Sequence, residues 1–598
     1  MRFFSRILPI LVVGASGAWL VSKTPLPKDP AGGMHMYEFG RLPVAYQGRV
    51  KPFDTLARNS LRIISDWQTY KDENGKRQPA IRWLLDVISG SEAAMKHRVF
   101  RIPNLQLIDA LKLQRREHFR YAYDEFADAL PSLSDAIRRV QMMKSDERDV
   151  YDSQLLKFST KVHLFELLIR SHQLPALPED HDQLMPVLKQ LIREYQFLEQ
   201  SPLPYAIPPL SENEQWRPLM RAAIESLVMR NPNPAIEPFA TMLDAWRTGK
   251  VDAFNNALTD YKSILARHSP ADGSKLSFEV FFNHLAPFYQ CMVLYVLAFL
   301  LSVFAWMGWS RPLNRAAAWL ILLTLVVHTF ALGARIYISG YPPITNLYGT
   351  AVFIGWACVI LGLIIEAVYR IGIGNTVASV AGFVTLLIAH NLAGDGDTLE
   401  MMRAVLDTKF WLATHVVVIN LGYSATFFAG CLAVLFILRG VLSSSFDKEM
   451  EKTFGRIIYG VICFALLMSF VGTVLGGLWA DDSWGRFWGW DTKENGALLI
   501  VLWNAMVLHA RWGGMIKARG IAVMAVFGGI VTSWSWFGVN QLGVGLHAYG
   551  FTEGRTRWLV LFVLSQLAIM GVGLLPRSWW RSARVPSKRL AKALNGGK

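Results

Sequence analysis

The stretch that decides the fold reads WLATHVVVINLGYSATFFAGCLAVLFIL (411–438), then RGVLSSSFDKEMEKTF (439–454), then GRIIYGVICFALLMSFVGTVLGGL (455–478). Two apolar runs flank a connection that carries Arg439, Lys448 and Lys452. About 20 apolar residues carry a helix across the hydrocarbon core of a bilayer, and each run supplies them. Working outward, the same pattern recurs, giving ten expected spans near 7–22, 287–308, 314–338, 347–369, 374–391, 411–438, 455–478, 494–513, 520–538 and 558–575. The whole chain agrees with that reading. Of its 598 residues 52% are hydrophobic and only 18% charged, against roughly 25% charged in a soluble domain. The mean hydropathy is +0.26. An ordinary soluble enzyme is excluded, and so is a disordered chain, which would be poor in aliphatic and aromatic residues.

The expected fold is an all-α polytopic membrane protein of about ten transmembrane helices, with a mainly helical extracytoplasmic domain between the first and second spans. Its parts are an anchor (1–22), the extracytoplasmic domain (23–286), a transmembrane domain (287–576) and a basic tail (577–598). Orientation follows from charge. One set of connections (the N-terminus, 308–315, 369–375, 439–456, 511–519 and the tail) holds 19 Lys and Arg, while 335–346, 391–410, 479–493 and 539–557 hold 7. Basic residues mark the cytoplasmic side, so both termini are expected there. The tail, with Arg577, Arg581, Arg584, Lys588, Arg589, Lys592 and Lys598, reads as an inner-leaflet anchor. The first segment is expected to be an uncleaved anchor, although Ser16-Gly17-Ala18 also offers small residues for signal cleavage.

The net charge of +15 does not signal nucleic acid, because the basic residues sit largely beside spans. Cys291, Cys358, Cys431 and Cys463 all lie in apolar runs and form no CxxC or CxxCH. Thiol–disulfide exchange, thiolate zinc and covalently held c-type haem are thereby excluded for this chain. Within 23–286, helical spacing marks 155–170, 185–199, 216–230 and a hairpin over 237–267 broken at Gly249. Gly40–Leu61 reads as a loop that becomes a helix after Asp54, taken as an N-cap. Alternating strand runs are not evident.

The chemistry is concentrated at WADDSWGRFWGWD (479–491) and the following residues to 494. Trp479, Trp484, Trp488 and Trp490, interleaved with Gly485 and Gly489, suggest a broad, flat platform for a planar aromatic ligand rather than a scattered interfacial belt. His415, near the outer end of its span, and His547, in the outer loop GVNQLGVGLHAYG, share that side of the membrane. Two neutral imidazoles on opposite faces of a macrocycle form an axial pair for haem iron. His509 lies about 22 Å below the outer end of its span at 1.5 Å per residue, and an ionisable group at that depth is a functional candidate. His328 is the other intramembrane histidine, in the outer half, whereas His284 and His390 sit at span ends. Arg486 and Lys493 are the cations nearest the platform, suited to carboxylates or to anchoring the loop. Asp491 is expected to accept backbone N–H bonds.

WGRFWGWDTKE resembles the tryptophan-rich "WWD" signature of membrane proteins that handle haem in cytochrome c maturation. FWLATHVVVINLGYSA, GVNQLGVGLHAYGF, LHAR (508–511) and YISGYPPITNLYGT (337–350) are similar to the CcsA (ResC) branch, over about 316–575. The resemblance implies haem export and delivery of haem b to an apocytochrome c bearing CxxCH, with thioether formation on the outer face of a bacterial inner membrane. It implies that His415 and His547 are external haem ligands, the Trp loop the platform, and His509 an intramembrane ligand. A CcsB (ResB) subunit and thiol-reducing proteins are the implied partners. CcsB has several spans, sometimes fused ahead of CcsA. Here one span precedes the outer domain and 23–286 does not match that partner, so its intramembrane histidine has no assured equivalent and His328 is a candidate for it. The rival readings are a membrane cytochrome b with bis-histidine haem and a transporter of another planar ligand.

Overall fold

The computed structural model describes residues 4–583 except 145–146, 175–185, 188, 194–200, 212–213, 230–231, 269–271, 308–309, 400, 403–406 and 543–554. Its contacts divide the chain into two units: residues 24–285 with 393–401, and residues 1–23, 286–392 and 402–598. The expected helix at 185–199 and the residue His547 fall largely or wholly outside the described residues.

The longer helices are numbered in chain order: α1 (Phe4–Val21), α2 (Phe53–Ser65), α3 (Ala80–Ile88), α4 (Leu130–Met142), α5 (Val150–Arg170), α6 (Leu219–Met229), α7 (Ile236–Thr248), α8 (Val251–His268) and α9 (Gly273–Leu285). They continue with α10 (Pro287–Met307), α11 (Ser310–Ser339), α12 (Leu347–Tyr369), α13 (Ile373–Leu392), α14 (His415–Leu442), α15 (Lys448–Trp484), α16 (Thr492–Trp512), α17 (Ala518–Ser533) and α18 (Arg555–Leu574).

The first unit is mainly helical, and its hairpin α7–α8 turns at Gly249 (φ 72°), a left-handed position that suits glycine. Three short antiparallel ribbons add to the expected helices: β1 (Pro43–Tyr46) with β2 (Arg49–Pro52), β3 (Thr69–Lys71) with β4 (Arg77–Pro79), and β5 (Phe100–Arg101) with β6 (Arg120–Tyr121). The first corrects the loop reading of 40–53. Gln47 and Gly48 both take positive φ (52° and 81°), the twist a two-residue hairpin turn needs. Helix α2 then starts at Phe53 behind Pro52, so Asp54 is a first-turn residue paired with Arg58 at 2.6 Å and not the N-cap. Phe39, Phe53, Phe239 and Phe254 are fully buried at the centre of this core.

Four buried charges bind the unit together. Arg49 grips Glu279 with two bonds (2.9 and 2.8 Å) and reaches Asp397 at 2.9 Å, while Lys51 meets Asp397 at 2.7 Å. Thr55 adds a hydroxyl donor to Glu279 at 2.7 Å. Burial opposes ionisation of Asp397, but Arg49 and Lys51 outweigh it and hold the carboxyl well below its usual range.

Eight helical segments among the described residues are long and apolar enough to cross a membrane: Gly273–Met307 (counted from α9), Ser310–Ser339, Leu347–Tyr369, Ile373–Leu392, Lys409–Leu442, Lys448–Trp484, Ala518–Gly538 and Thr556–Leu574. The protein is a polytopic membrane protein. The two other expected spans are helices that are shorter or more polar. The apolar part of α1, Arg6–Val21, rises only about 24 Å at 1.5 Å per residue. Helix α16 carries Lys493, Glu494, Asn495, Asn504, His509 and Arg511. Its Asn504 is turned inward, giving its amide to Thr426 at 3.1 Å. Helix α14 packs extensively on α15 and on α17, and α12 on α13. At the start of the tail, Trp580 is buried against Gly440 and Phe436, and Arg577 pairs with Glu451.

Candidate functional site

His415 is the first residue of α14, just after a break at Thr414 (φ −97°, ψ −74°) that ends the five-residue helix Lys409–Ala413. Its Nδ1 lies 2.8 Å from the main-chain oxygen of Gly472 on α15. A carbonyl only accepts, so Nδ1 carries the hydrogen and the lone pair is on Nε2. That is the tautomer an Nε2 metal ligand needs.

Three glycines of α15 make the approach possible. A Cβ on Gly472 would meet Ile419 Cα at 2.7 Å, and one on Gly476 would meet the His415 ring at 2.6 Å. A Cβ on Gly477 would meet the Phe487 ring at 2.5 Å. Small residues four apart let two helices close up. The Trp479 ring stands 5.7 Å from the imidazole at an interplanar angle of 59°, and its buried Nε1 has no hydrogen-bond partner among the described residues.

The Trp segment departs from its expected form. Helix α15, about 55 Å long at 1.5 Å per residue, continues through Trp484, so Trp479 and Trp484 are helical and the loop is only 485–491. Gly485 ends the helix in the left-handed region (φ 68°). Trp488 and Trp490 stand edge to face at 88°, so the indoles do not form one flat platform. Trp490 is 71% exposed and takes φ 56°, an uncommon conformation for a bulky residue. Arg486 lays its guanidinium against Gly489.

Asp491 caps α16 as part of a capping box with Glu494. Its carboxylate accepts from Lys493 N–H at 2.9 Å, and Glu494 accepts from Gly489 and Asp491 N–H at 2.8 and 3.0 Å. Lys493 is committed elsewhere, donating from Nζ to the carbonyls of Ser535 (3.2 Å) and Trp536 (3.0 Å). Both belong to a π-helical turn, Trp534–Gly538, that ends α17.

The other histidines are not brought together. His328 on α11 is fully buried between Phe288 and Tyr295, with the Tyr295 hydroxyl 3.0 Å from Nδ1 and the Val352 backbone alongside the ring. His509 is exposed in the last turn of α16, its Nδ1 2.8 Å from the Ala505 carbonyl and its ring beside Trp512. His284 and His390 close α9 and α13.

Residues 344–547 match the family model described as Cytochrome C assembly protein. The CcsA protein of Parasynechococcus marenigrum is 30% identical over 295 residues, covering 43% of this chain and 95% of that protein. The chain belongs to the CcsA family of cytochrome c biogenesis proteins. CcsA of Guillardia theta is 29% identical over 255 residues, 38% of this chain and 84% of that protein. Protein NrfI of Wolinella succinogenes is 25% identical over 535 residues, 86% of this chain, and the chain spans 54% of its length. The stretch that matches the family model takes in His415, the Trp segment, Asp491, His509 and His547, while His328 precedes it.

Several residues of this CcsA-family site escaped the sequence reading. Gly472 and Gly476 carried a signal, since glycines four apart on a span mark a close helix contact. Glu494 carried one too, three residues after an N-cap aspartate. The π-helical turn at WSWFG carried none.

Proposed function

We propose that this CcsA-family protein takes haem b as substrate, conveys it across the bacterial inner membrane and presents it to apocytochrome c at the extracytoplasmic face. The observation that carries the reading is His415. Its tautomer is set by the Gly472 carbonyl, 2.8 Å away, and its ring lies 5.7 Å from that of Trp479, whose buried N–H has no hydrogen-bond partner among the described residues. In this reading His415 and His547 are the axial pair, the Trp side chains enclose the macrocycle, and Arg486 faces its propionates. The reaction served is addition of each acceptor thiol across a haem vinyl group. A C–S bond forms, the thiol hydrogen passes to the neighbouring carbon, and no net oxidation occurs. The protein's part is to hold haem and acceptor in register, and placement of this kind contributes roughly 7–11 kcal/mol.

Topology supports the reading from a second direction. Residues 393–401, in the connection between two spans, belong to the same compact unit as residues 24–285. In this reading the connection and the domain lie on the extracytoplasmic side, where the charge distribution of the sequence is expected to put the Trp segment. A CcsB-like subunit and thiol-reducing proteins are the partners this role calls for.

Spectra of the purified protein test the proposal. His415→Ala and His547→Ala should each lose the bis-imidazole ferrous spectrum and cytochrome c maturation while inserting normally. Added imidazole should restore part of both. Normal maturation in either variant sinks the axial assignment.

A further inference from the structure

Resting on the haem reading, we infer that Lys493 is a positioning residue which locks the Trp loop to α17, and that it makes no contact with the substrate's carboxylates. Three observations lead there. First, both hydrogen bonds donated by its Nζ end on main-chain oxygens, Ser535 O at 3.2 Å and Trp536 O at 3.0 Å. Second, those oxygens belong to the π-helical turn Trp534–Gly538. Such a turn shifts backbone bonding from i−4 to i−5 and leaves carbonyls in need of donors, and π turns of this kind collect at functional sites.

Third, the turn is held from two more directions. The Ser535 hydroxyl is 2.6 Å from the Tyr423 hydroxyl of α14. On the α16 side, a Cβ at Gly496 would meet Ser535 Oγ at 2.5 Å, so only glycine lets the helices come this close. Ser535 is fully buried and Trp536 is 4% exposed. The ammonium thus closes a knot of α14, α16 and α17. Two residues before it, the Asp491–Glu494 capping box fixes the end of the Trp loop. Tyr423 is eight residues after His415 on the same helix, about 12 Å along its axis. Through this knot, the start of α16 and the His415 helix keep one spacing.

Two ligands distinguish positioning from contact: haem, and haem with both propionates esterified. Affinity for each is measured on the purified full-length protein, wild type and Lys493→Met. A positioning residue weakens both ligands by the same factor, about tenfold for a displacement of well under 1 Å, and leaves the ratio of the two affinities unchanged. A collapse of that ratio in Lys493→Met, or wild-type affinity for both ligands, overturns the inference. Lys493→Gln removes the charge and keeps two N–H donors, so it should retain most of both affinities. Should Lys493→Met fail to insert, loss of haem binding in Lys493→Gln overturns the inference instead. Failure of the haem reading looks different: the wild type binds neither ligand, or His415→Ala leaves the spectrum unaltered.

Discussion

Gly476→Ala puts the candidate site under its most specific strain. A Cβ at this position would stand 2.6 Å from His415 Cε1 and 3.1 Å from Nδ1. To reach ordinary carbon–carbon contact the ring has to retreat by about 0.8 Å. The Nδ1 bond to Gly472 O is 2.8 Å, and a retreat directed along it stretches it to at most about 3.6 Å, beyond a hydrogen bond. Losing that bond costs about 1 kcal/mol, roughly fivefold in the population of the tautomer with its lone pair on Nε2. Displacing a ligating group by nearly 1 Å costs up to about a hundredfold in rate.

Maturation should therefore fall between about tenfold and a hundredfold. Helix α15 itself should not suffer, since alanine is favoured over glycine in a helix by about 1 kcal/mol. The assay is holocytochrome c formed per inserted protein, together with the ferrous spectrum of the purified variant. Gly460→Ala is the control: it lies on the same helix, a Cβ there meets nothing within 4 Å, and it should mature cytochrome normally. Wild-type maturation by Gly476→Ala would show that the imidazole position does not matter, and the reasoning from His415 would fail with it.

Asp397→Asn should destabilise the unit of residues 24–285 and 393–401 by about 3–5 kcal/mol, because it leaves Arg49 and Lys51 buried with half their counter-charge; an unaltered thermal or proteolytic midpoint refutes this. The Asp397 carboxyl is held below its usual range, so its contribution is present above the unfolded-state value near 3.9 and fades as pH falls through the native value. In the wild type that stability should hold from pH 7 to about 5 and decline below, and the decline should be shallower in Asp397→Asn. Reporter fusions at Gly249 and Ser483 should behave as exported and one at Lys517 as internal; an internal result at Ser483 puts the Trp segment in the wrong compartment. His509→Ala should lower the haem that co-purifies, since its Nδ1 is bonded to Ala505 O and its lone pair is on the other nitrogen. Full occupancy with normal maturation would remove His509 from the haem route.

What was legible in the sequence depended on local causes. Spans show as runs of apolar residues because each must face lipid by itself. The α7–α8 turn shows at Gly249 because a left-handed residue needs no distant partner to favour glycine. Ribbon β1–β2 was hidden because its strands are four residues long, too short for alternation to register beside the surrounding Pro and Gly. The Trp segment was misjudged as all loop because helix α15 runs past the apolar span, through Asp481 and Asp482, until Gly485 ends it. The buried quartet had no local sign at all. Its Arg49 and Asp397 are 348 positions apart, and nothing near either residue marks the pairing.

The candidate site divides along the same line. That His415 lies near the Trp segment follows from side and depth, which hydropathy and charge supply. Which nitrogen of its ring carries the lone pair follows from Gly472, 57 positions away, and from a helix spacing that Gly476 permits. An imidazole in a sequence is a ligand of undetermined direction, and only the helix packed against it selects the tautomer. Close helix contact is therefore what turns this histidine from a residue type into a candidate ligand. The glycines of α15 accordingly belong to the site as much as its aromatic rings do.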